Sequence, residues 1–196
     1  MAQSGAMPET DPPPADLAGL SLADIARRAE ARQLPPVASW NPPHCGDSGM
    51  RIARDGRWYH EGAPIDRAAM VRLFSTLLRR EADGSHVLVT PVEKLTIAVE
   101  DTPFIAIEMK SEGEGAARRL AFRLNTGDLV IADTDHPLRF ENRPDGPHPC
   151  LRVRDRLDAR IARPVYYELA ALALDEGGDP PGLWSAGHFF SFGGAA

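Results

Sequence analysis

The chain has 196 residues, of which 43% are hydrophobic and 26% charged, and its formal net charge is −6. This composition is typical of a globular protein, and the negative charge disfavours general binding to nucleic acid or to anionic membranes. The sequence contains no apolar run of membrane-helix length, and its N-terminus lacks the basic and apolar regions of a signal peptide. Two cysteines are too few for a disulfide framework. We therefore expect a cytoplasmic protein without nucleic-acid or membrane partners, and its oligomeric state stays open.

The first part of the chain is rich in proline and poor in apolar residues. Residues 1–19 are predicted to be a disordered tail for this reason. Ser21 can cap a short helix that continues to about Gln33. Four prolines between residues 35 and 43 then favour an extended segment that reaches Gly49.

A hairpin and a helix are predicted next. Asp55-Gly56 lies between the strand-like segments 50–53 and 57–60, and glycine tolerates the positive φ of a tight turn. Asp66 can cap a helix to about Glu81, because apolar residues recur there at helical spacing. With the strand-like residues that follow, these elements predict an N-terminal α+β half over residues 20–90.

Residues 91–196 are predicted to form a second, mostly β half. Short strand-like segments alternate with turns that contain glycine, aspartate, asparagine or proline, which indicates an antiparallel meander. Pro164 is expected to start a closing helix that runs to about Asp175. The apolar residues 183–190 are expected to form one further strand of the sheet.

A sequence echo suggests that the halves are related. Arg54-Asp55 and Pro64-Ile65 recur 100 residues later as Arg154-Asp155 and Pro164-Val165, each time before a predicted helix. The charge also changes along the chain: residues 51–80 carry seven arginines and three acids, whereas residues 81–117 carry eight acids and two lysines. The basic and acidic segments could pack together or line opposite walls of a cleft.

No catalytic signature or standard metal motif is present. The sequence has no G-x-S-x-G elbow, no H-E-x-x-H pair and no glycine-rich phosphate loop. His44-Cys45 and His148-x-Cys150 could in principle bind zinc, but their spacing matches no standard finger. We therefore predict neither catalytic nor metal-binding residues, and no cofactor can be named.

Four candidate binding residues lie around the predicted hairpin and helix. Trp58 and His60 end the hairpin, and Arg67 and Arg72 belong to the exposed face of the helix. Arginine recognises phosphate and carboxylate through a planar pair of donors, and an aromatic ring can stack on a base. The alternative interpretation is that Trp58 is a core residue and His60 an ordinary turn residue.

Four further candidates lie near the predicted junction and the C-terminus. Glu93 and Lys94 connect the two halves, where pockets commonly form, although they could equally be a solvated junction. Trp184 and His188 flank Gly187 in an apolar segment, and a glycine in a strand can mark the close approach of a ligand. Core packing of Trp184 is the alternative.

A set of short segments between about residues 36 and 192 carries a resemblance to a known family. The segments are Asp55-Gly56-Arg57-Trp58, Glu61-Gly62-Ala63-Pro64-Ile65-Asp66-Arg67, Leu73-Phe74-Ser75, Leu88-Val89-Thr90-Pro91-Val92-Glu93-Lys94, Val99-Glu100-Asp101-Thr102-Pro103-Phe104, Leu124-Asn125, His136-Pro137-Leu138, Arg163-Pro164-Val165-Tyr166-Tyr167-Glu168-Leu169 and Trp184-Ser185-Ala186-Gly187. Through these residues the sequence resembles the bacterial family catalogued as domain of unknown function 1285. The resemblance implies two structurally related halves, the second superficially like a pleckstrin-homology fold. It also implies a site for a nucleotide-like ligand at their interface and a role in signalling, but no catalytic residue.

The leading hypothesis is a non-enzymatic module that binds a small anionic, nucleotide-like ligand between the halves. Arg67 and Arg72 would contact the anion, Glu93 and Lys94 would orient the ligand, and Trp58 or Trp184 would stack on its base. One alternative is an enzyme that uses His60 or His188 as a base, with Glu61 or Glu93 as its partner. Another is a protein-interaction scaffold that uses a sheet edge or the segment 35–43.

Overall fold

The computed structural model describes residues 20–31, 34–144 and 146–192. The predicted disordered tail, residues 1–19, and the predicted end of the first helix at Gln33 lie outside these ranges. The described helices and strands are, in chain order, α1 (Leu22–Ala31), β1 (His44–Ile52), β2 (Trp58–His60), β3 (Ala63–Pro64), α2 (Ala68–Thr76), β4 (Leu78–Arg80), β5 (His86–Val89), β6 (Lys94–Val99), β7 (Phe104–Glu112), β8 (Arg119–Leu124), β9 (Leu129–Ile131), β10 (Leu138–Arg143), β11 (Gly146–Arg154), β12 (Leu157–Ile161), α3 (Arg163–Glu176), β13 (Gly182–Ser185) and β14 (His188–Ser191). None of these helices combines the length and hydropathy that a membrane crossing requires.

The first half is a six-stranded sheet with the strand order β3-β2-β1-β6-β5-β4. The predicted hairpin is confirmed, because Met50 pairs with His60 and Ile52 pairs with Trp58 in antiparallel register. At the centre of the sheet, β1 and β6 run parallel. Because β6 belongs to this sheet, the chain passes to the second sheet after residue 99, whereas the sequence placed the boundary between residues 90 and 91.

The second half is a six-stranded sheet with the order β10-β11-β12-β7-β8-β9. It consists of two three-stranded antiparallel meanders, and they meet through the parallel pair β12 and β7. The helix expected after the C-terminal strands is α3. The prediction of an α+β fold in two sheet-rich halves is confirmed, and in the described ranges the outer strands β9 and β10 do not pair to close a barrel.

The halves are related through their strand order. Each places the first strand of its first meander beside the last strand of its second meander. The equivalent strands β1 and β7 begin 60 residues apart, and β6 and β12 begin 63 apart. The 100-residue echo is therefore the wrong offset. It paired two local signals with different roles, because Pro64 lies in strand β3 whereas Pro164 lies in the first turn of α3.

Helix α2 is shorter than predicted. It begins at Ala68 and ends at Thr76, its N-cap is Arg67 without a side-chain capping bond, and residues 78–80 form the edge strand β4 instead of another helical turn. The hydroxyls of Ser75 and Thr76 donate to the carbonyls of Arg72 and Leu73, which shows the local competition that these residues bring to a helix. Leu78 is then fully buried, so pairing with β5 outweighs continued helical spacing.

The C-terminal segment is a separate hairpin. The prediction of one strand over residues 183–190 is wrong, because β13 and β14 pair only with each other. Ala186 and Gly187 have φ values of 48° and 80°, which reverse the chain in a tight turn. The turn was not predicted, because the segment is mainly apolar and was interpreted as one strand.

One hydrophobic core extends through both halves. It contains Ile52, Trp58 and Leu78 of the first half together with Phe104 and Leu151 of the second. Polar contacts also join the halves: the Arg154 guanidinium donates to the Ser75 carbonyl, and Asn125 Nδ2 donates to the Gly56 carbonyl over 3.3 Å. The relative position of the two sheets is thereby fixed by packing and by hydrogen bonds.

Candidate functional site: an arginine-lined cleft

A cleft of about 440 Å³ lies where the two halves meet. Arg54, from the turn between β1 and β2, and Asp101, from the link between the sheets, form one part of its wall. Strands β10, β11 and β12 and the first turns of α3 form the rest. The charged and aromatic lining residues are Arg54, Asp101, Arg143, His148, Arg160, Arg163, Tyr166 and Tyr167.

Asp101 is the centre of a polar network in this wall. Its side chain is only 7% exposed, and its Oδ2 lies 3.0 Å from Arg160 Nε. Its Oδ1 lies 3.2 Å from His148 Nε2 and 3.4 Å from an Nη of Arg143. Arg160 also donates to the Arg54 carbonyl over 3.0 Å, which connects the two halves across the cleft. A buried carboxylate with this many partners holds the surrounding cations in place.

The cleft carries an excess of positive charge. Four guanidinium groups line it, whereas Asp101 is the single carboxylate in its described lining. Arg143 has a further partner in Glu141, at 3.3 Å. The side chains of Arg54 and Arg163 have no ion pair or hydrogen bond within the described part of the chain, and both residues are exposed. These two arginines are therefore available to an anion from solvent.

Cys150, His148 and Asp101 form a connected chain that is similar to a nucleophile, base and acid triad. Cys150 Sγ lies 3.1 Å from His148 Nδ1, and the other ring nitrogen faces Asp101. We assign the proton to Nε2, because an ionised carboxylate only accepts, so Nδ1 accepts from the thiol. Burial raises the pKa of Cys150 to about 12, and the residue is 3% exposed. The arrangement therefore orients His148 and does not supply a thiolate nucleophile.

Five of the eight sequence candidates line none of the cavities described here. Trp58 is a core residue with 2% exposure, as the alternative interpretation expected. Lys94 lies 3.8 Å from Glu81, and Arg72 is on α2. Trp184 packs on Phe189 with ring centroids 5.5 Å apart, and His188 lies on the exposed end of the same hairpin. The structure therefore does not bring these residues together.

The other three candidates, His60, Arg67 and Glu93, line one cavity. It lies within the first half, between α2 and the sheet, and not at the interface between the halves. His60 and Glu93 share its lining, but His60 has no hydrogen bond to a carboxylate within the described residues. Elsewhere His44 Nε2 bonds to Thr96, and the described residues contain no group of three or more metal-ligating side chains.

Sequence reasoning missed the residues that build the cleft. Four of them lie within eight positions of the sequence: Arg160, Arg163, Tyr166 and Tyr167. This cluster of arginines and tyrosines could have indicated a binding site for an anion. Asp101 and Arg143 carried no such signal, because they meet only when β12 pairs with β7 and β10 joins the same sheet.

The fold and the cleft define a two-sheet α+β protein with a cationic crevice between its halves. Residues 35–102 match the family described as "Domain of unknown function (DUF1285), N-terminal domain", and residues 103–192 match "Protein of unknown function (DUF1285), C-terminal domain". The chain therefore belongs to the DUF1285 family, and the resemblance seen in its sequence is confirmed.

Two crystal structures are similar to this chain. A DUF1285 family protein from Silicibacter pomeroyi DSS-3 is 44% identical, with a TM-score of 0.74, and the match covers 85% of this chain and 93% of that one. A DUF1285 family protein from Shewanella baltica OS155 is 23% identical, with a TM-score of 0.51 over 63% of this chain and 91% of that one, and supports the fold alone. Comparison with curated proteins gives no match.

Proposed function

We propose that this protein is a non-enzymatic module that binds a small anionic, nucleotide-like ligand in the cleft between its halves. The observation that carries the proposal is the presence of Arg54 and Arg163, one from each half, without partners in the described chain at the wall of the same cleft. An anion between them would contact both halves at once. Guanidinium groups bind phosphate and carboxylate through paired, charge-assisted hydrogen bonds.

The shape of the cleft supports a ligand larger than a simple ion. Its volume of about 440 Å³ is within the usual range of small-molecule sites. Tyr166 and Tyr167 lie beside Arg163 at the start of α3, and Tyr167 is 61% exposed. An exposed aromatic ring next to cations suits a ligand with a planar base and a phosphate group. This assignment replaces Arg67 and Arg72 with Arg54, Arg143, Arg160 and Arg163 as the proposed anion contacts, and it gives Glu93 and Lys94 no part in orienting the ligand.

The signalling role and the cytoplasmic location remain parts of the proposal. The signalling role follows from the family resemblance and not from a contact in the cleft. The alternative of an enzyme has less support, because neither His60 nor His188 has a hydrogen bond or ion pair to a carboxylate within the described residues. The alternative of a scaffold would be favoured if no small anion bound.

A thermal-shift titration with pyrophosphate, ADP and adenosine tests the proposal. At about 100 times its dissociation constant, a ligand should add roughly 2.7 kcal/mol to the free energy of unfolding. We expect the increase in melting temperature to be largest with ADP, smaller with pyrophosphate and smallest with adenosine. The double variant Arg54→Gln/Arg163→Gln should lose this increase. The control Arg119→Gln removes an exposed arginine outside the cleft and should leave the shift unchanged. The proposal is wrong if no anion stabilises the protein, or if Arg67→Gln abolishes the shift and the double variant does not.

A further inference from the structure

We propose that the first half contains a second, independent site, which binds an amphipathic zwitterion: a molecule with an apolar chain or ring and a head group of both charges. The site is a cavity of about 720 Å³ between α2 and the first sheet. It is larger than the cleft between the halves and shares no lining residue with it.

The walls of this cavity are mostly apolar. Met50 and Leu88 of the sheet, each 7% exposed, form its floor, and Phe74 and Leu77 line it from α2 and the residue that follows. The rest of the protein covers helix α2 only weakly, because Ser75 is the one buried residue of this helix. Met70, which also lines the cavity, is 38% exposed. An apolar ligand body would remove this surface from water, at about 25 cal/mol per Å² of surface covered.

The polar part of the lining includes four titratable or charged side chains that have no partner within the described chain. His60, Asp66, Arg67 and Glu93 are all exposed, and none of their side chains has an ion pair or a hydrogen bond within the described chain. The pairs Arg79–Glu81 and Arg123–Glu108 show that other charges of this protein do find partners. Charged groups that converge on an apolar cavity without internal partners are the usual means of orienting a ligand.

The signs of these charges select the head group. Arg67 is cationic, Asp66 and Glu93 are anionic, and His60 adds a positive charge only when it is protonated. A purely anionic head group would satisfy Arg67 but would be repelled by two carboxylates, and a purely cationic one would be repelled by Arg67. A zwitterion can satisfy both signs, so charge complementarity favours it over either single charge.

Three probes with the same decyl chain separate these possibilities: N-decyl-N,N-dimethylglycine, undecanoate and decyltrimethylammonium, each kept monomeric. Isothermal titration calorimetry on the full chain should show one-to-one binding of the zwitterion, about tenfold tighter than either singly charged probe. In Arg67→Gln this preference over decyltrimethylammonium should disappear, and in Glu93→Gln the preference over undecanoate should decrease. Arg72→Gln, on the same helix but outside the cavity lining, is the matched control and should behave as wild type.

The variant Ala63→Phe tests the cavity itself. Ala63 lines the cavity from the exposed edge strand β3, so a larger side chain can enter the space without disturbing the core. It should weaken zwitterion binding by at least about tenfold while the unfolding midpoint stays unchanged. Absence of zwitterion binding, equal affinity for the three probes, more than one bound molecule per chain, or undiminished binding in Ala63→Phe would each overturn the proposal. Binding should also survive in Arg54→Gln/Arg163→Gln, which separates this site from the cleft.

Discussion

Gly56 is a single residue on which the contact between the halves depends. Its φ is 83°, and a Cβ added there would lie 2.6 Å from Asn125 Nδ2 and 2.9 Å from Ile105 Cδ1. Asn125 cannot move away without cost, because its Oδ1 accepts from the Ile105 amide and its Nδ2 donates to the Gly56 carbonyl. We therefore expect Gly56→Ala to destabilise the protein both through backbone strain and through overpacking, by about 2 to 4 kcal/mol in total.

Gly62→Ala is the matched control, because Gly62 also has a φ of 83° and no atom lies within 4 Å of its added Cβ. It should lose only the strain energy, about 1 kcal/mol. Urea unfolding at equilibrium measures both free energies. If the two variants were equally stable, the close approach of the added Cβ to Asn125 and Ile105 would cost no stability, and the prediction of overpacking would be wrong.

The Cys150 thiol should be inert in the native protein. Burial raises its pKa to about 12, so at pH 8 the native state contains almost none of the reactive thiolate. In a Cys45→Ser background, we expect iodoacetamide to modify Cys150 in urea but not in native buffer, as measured by intact mass. Fast labelling of the native protein would contradict the assignment of His148 as an oriented, non-catalytic group.

For single residues, the sequence predicted the structure wherever the relevant residues are adjacent in the chain. The Asp55-Gly56 turn could be predicted because the turn chemistry lies in adjacent residues. The partners of Asp101 could not, because Arg143, His148 and Arg160 are 42 to 59 residues away in sequence and no local pattern specifies their meeting. Trp58 illustrates a further limit, since an aromatic residue near arginines suits either a stacking platform or a core, and only its 2% exposure decides between them.

Among the elements, the hairpin β13–β14 is attached to the second sheet in part through Ser185. Ser185 is fully buried, and its Oγ donates to the Ala132 carbonyl over 2.6 Å and accepts from the Leu120 amide over 2.9 Å. Ser185→Ala would leave two buried backbone groups without partners. We expect a loss of about 2 to 3 kcal/mol in the free energy of unfolding.

Ser39→Ala provides the comparison for Ser185. The Ser39 hydroxyl also donates to a carbonyl, that of Pro36 at 2.8 Å, but the residue is exposed and water can replace the bond. Its loss should be below about 0.5 kcal/mol in the same denaturation assay. Equal losses in the two variants would mean that burial of the Ser185 bonds adds no stability.

The two wrong element predictions share a cause. Residues 78–80 continued a helical spacing, and residues 183–190 formed a mainly apolar segment, so each was interpreted as a single element. In the structure each is decided by a non-local event: β4 pairs with β5, and Ser185 bonds to strand β8 and to the residue after β9. Periodicity predicts which face of an element is apolar, but it does not say which neighbour will compete for that face.

For the whole molecule, the continuous core predicts that the two halves unfold together. Ile52 and Leu78 share one apolar cluster with Phe104 and Leu151, and Arg154 and Arg160 donate to backbone carbonyls of the other half. Exposing either half would therefore uncover apolar surface of its partner, which makes a half-folded state costly. The chain has a third tryptophan, Trp40, so fluorine NMR of protein labelled with 5-fluorotryptophan is done in a Trp40→Phe background, where it follows Trp58 in the first half and Trp184 in the second. We expect both native signals to disappear at the same urea concentration. Separate midpoints would show that the interface joins two independently stable domains, and a ligand in the cleft would then be needed to couple them.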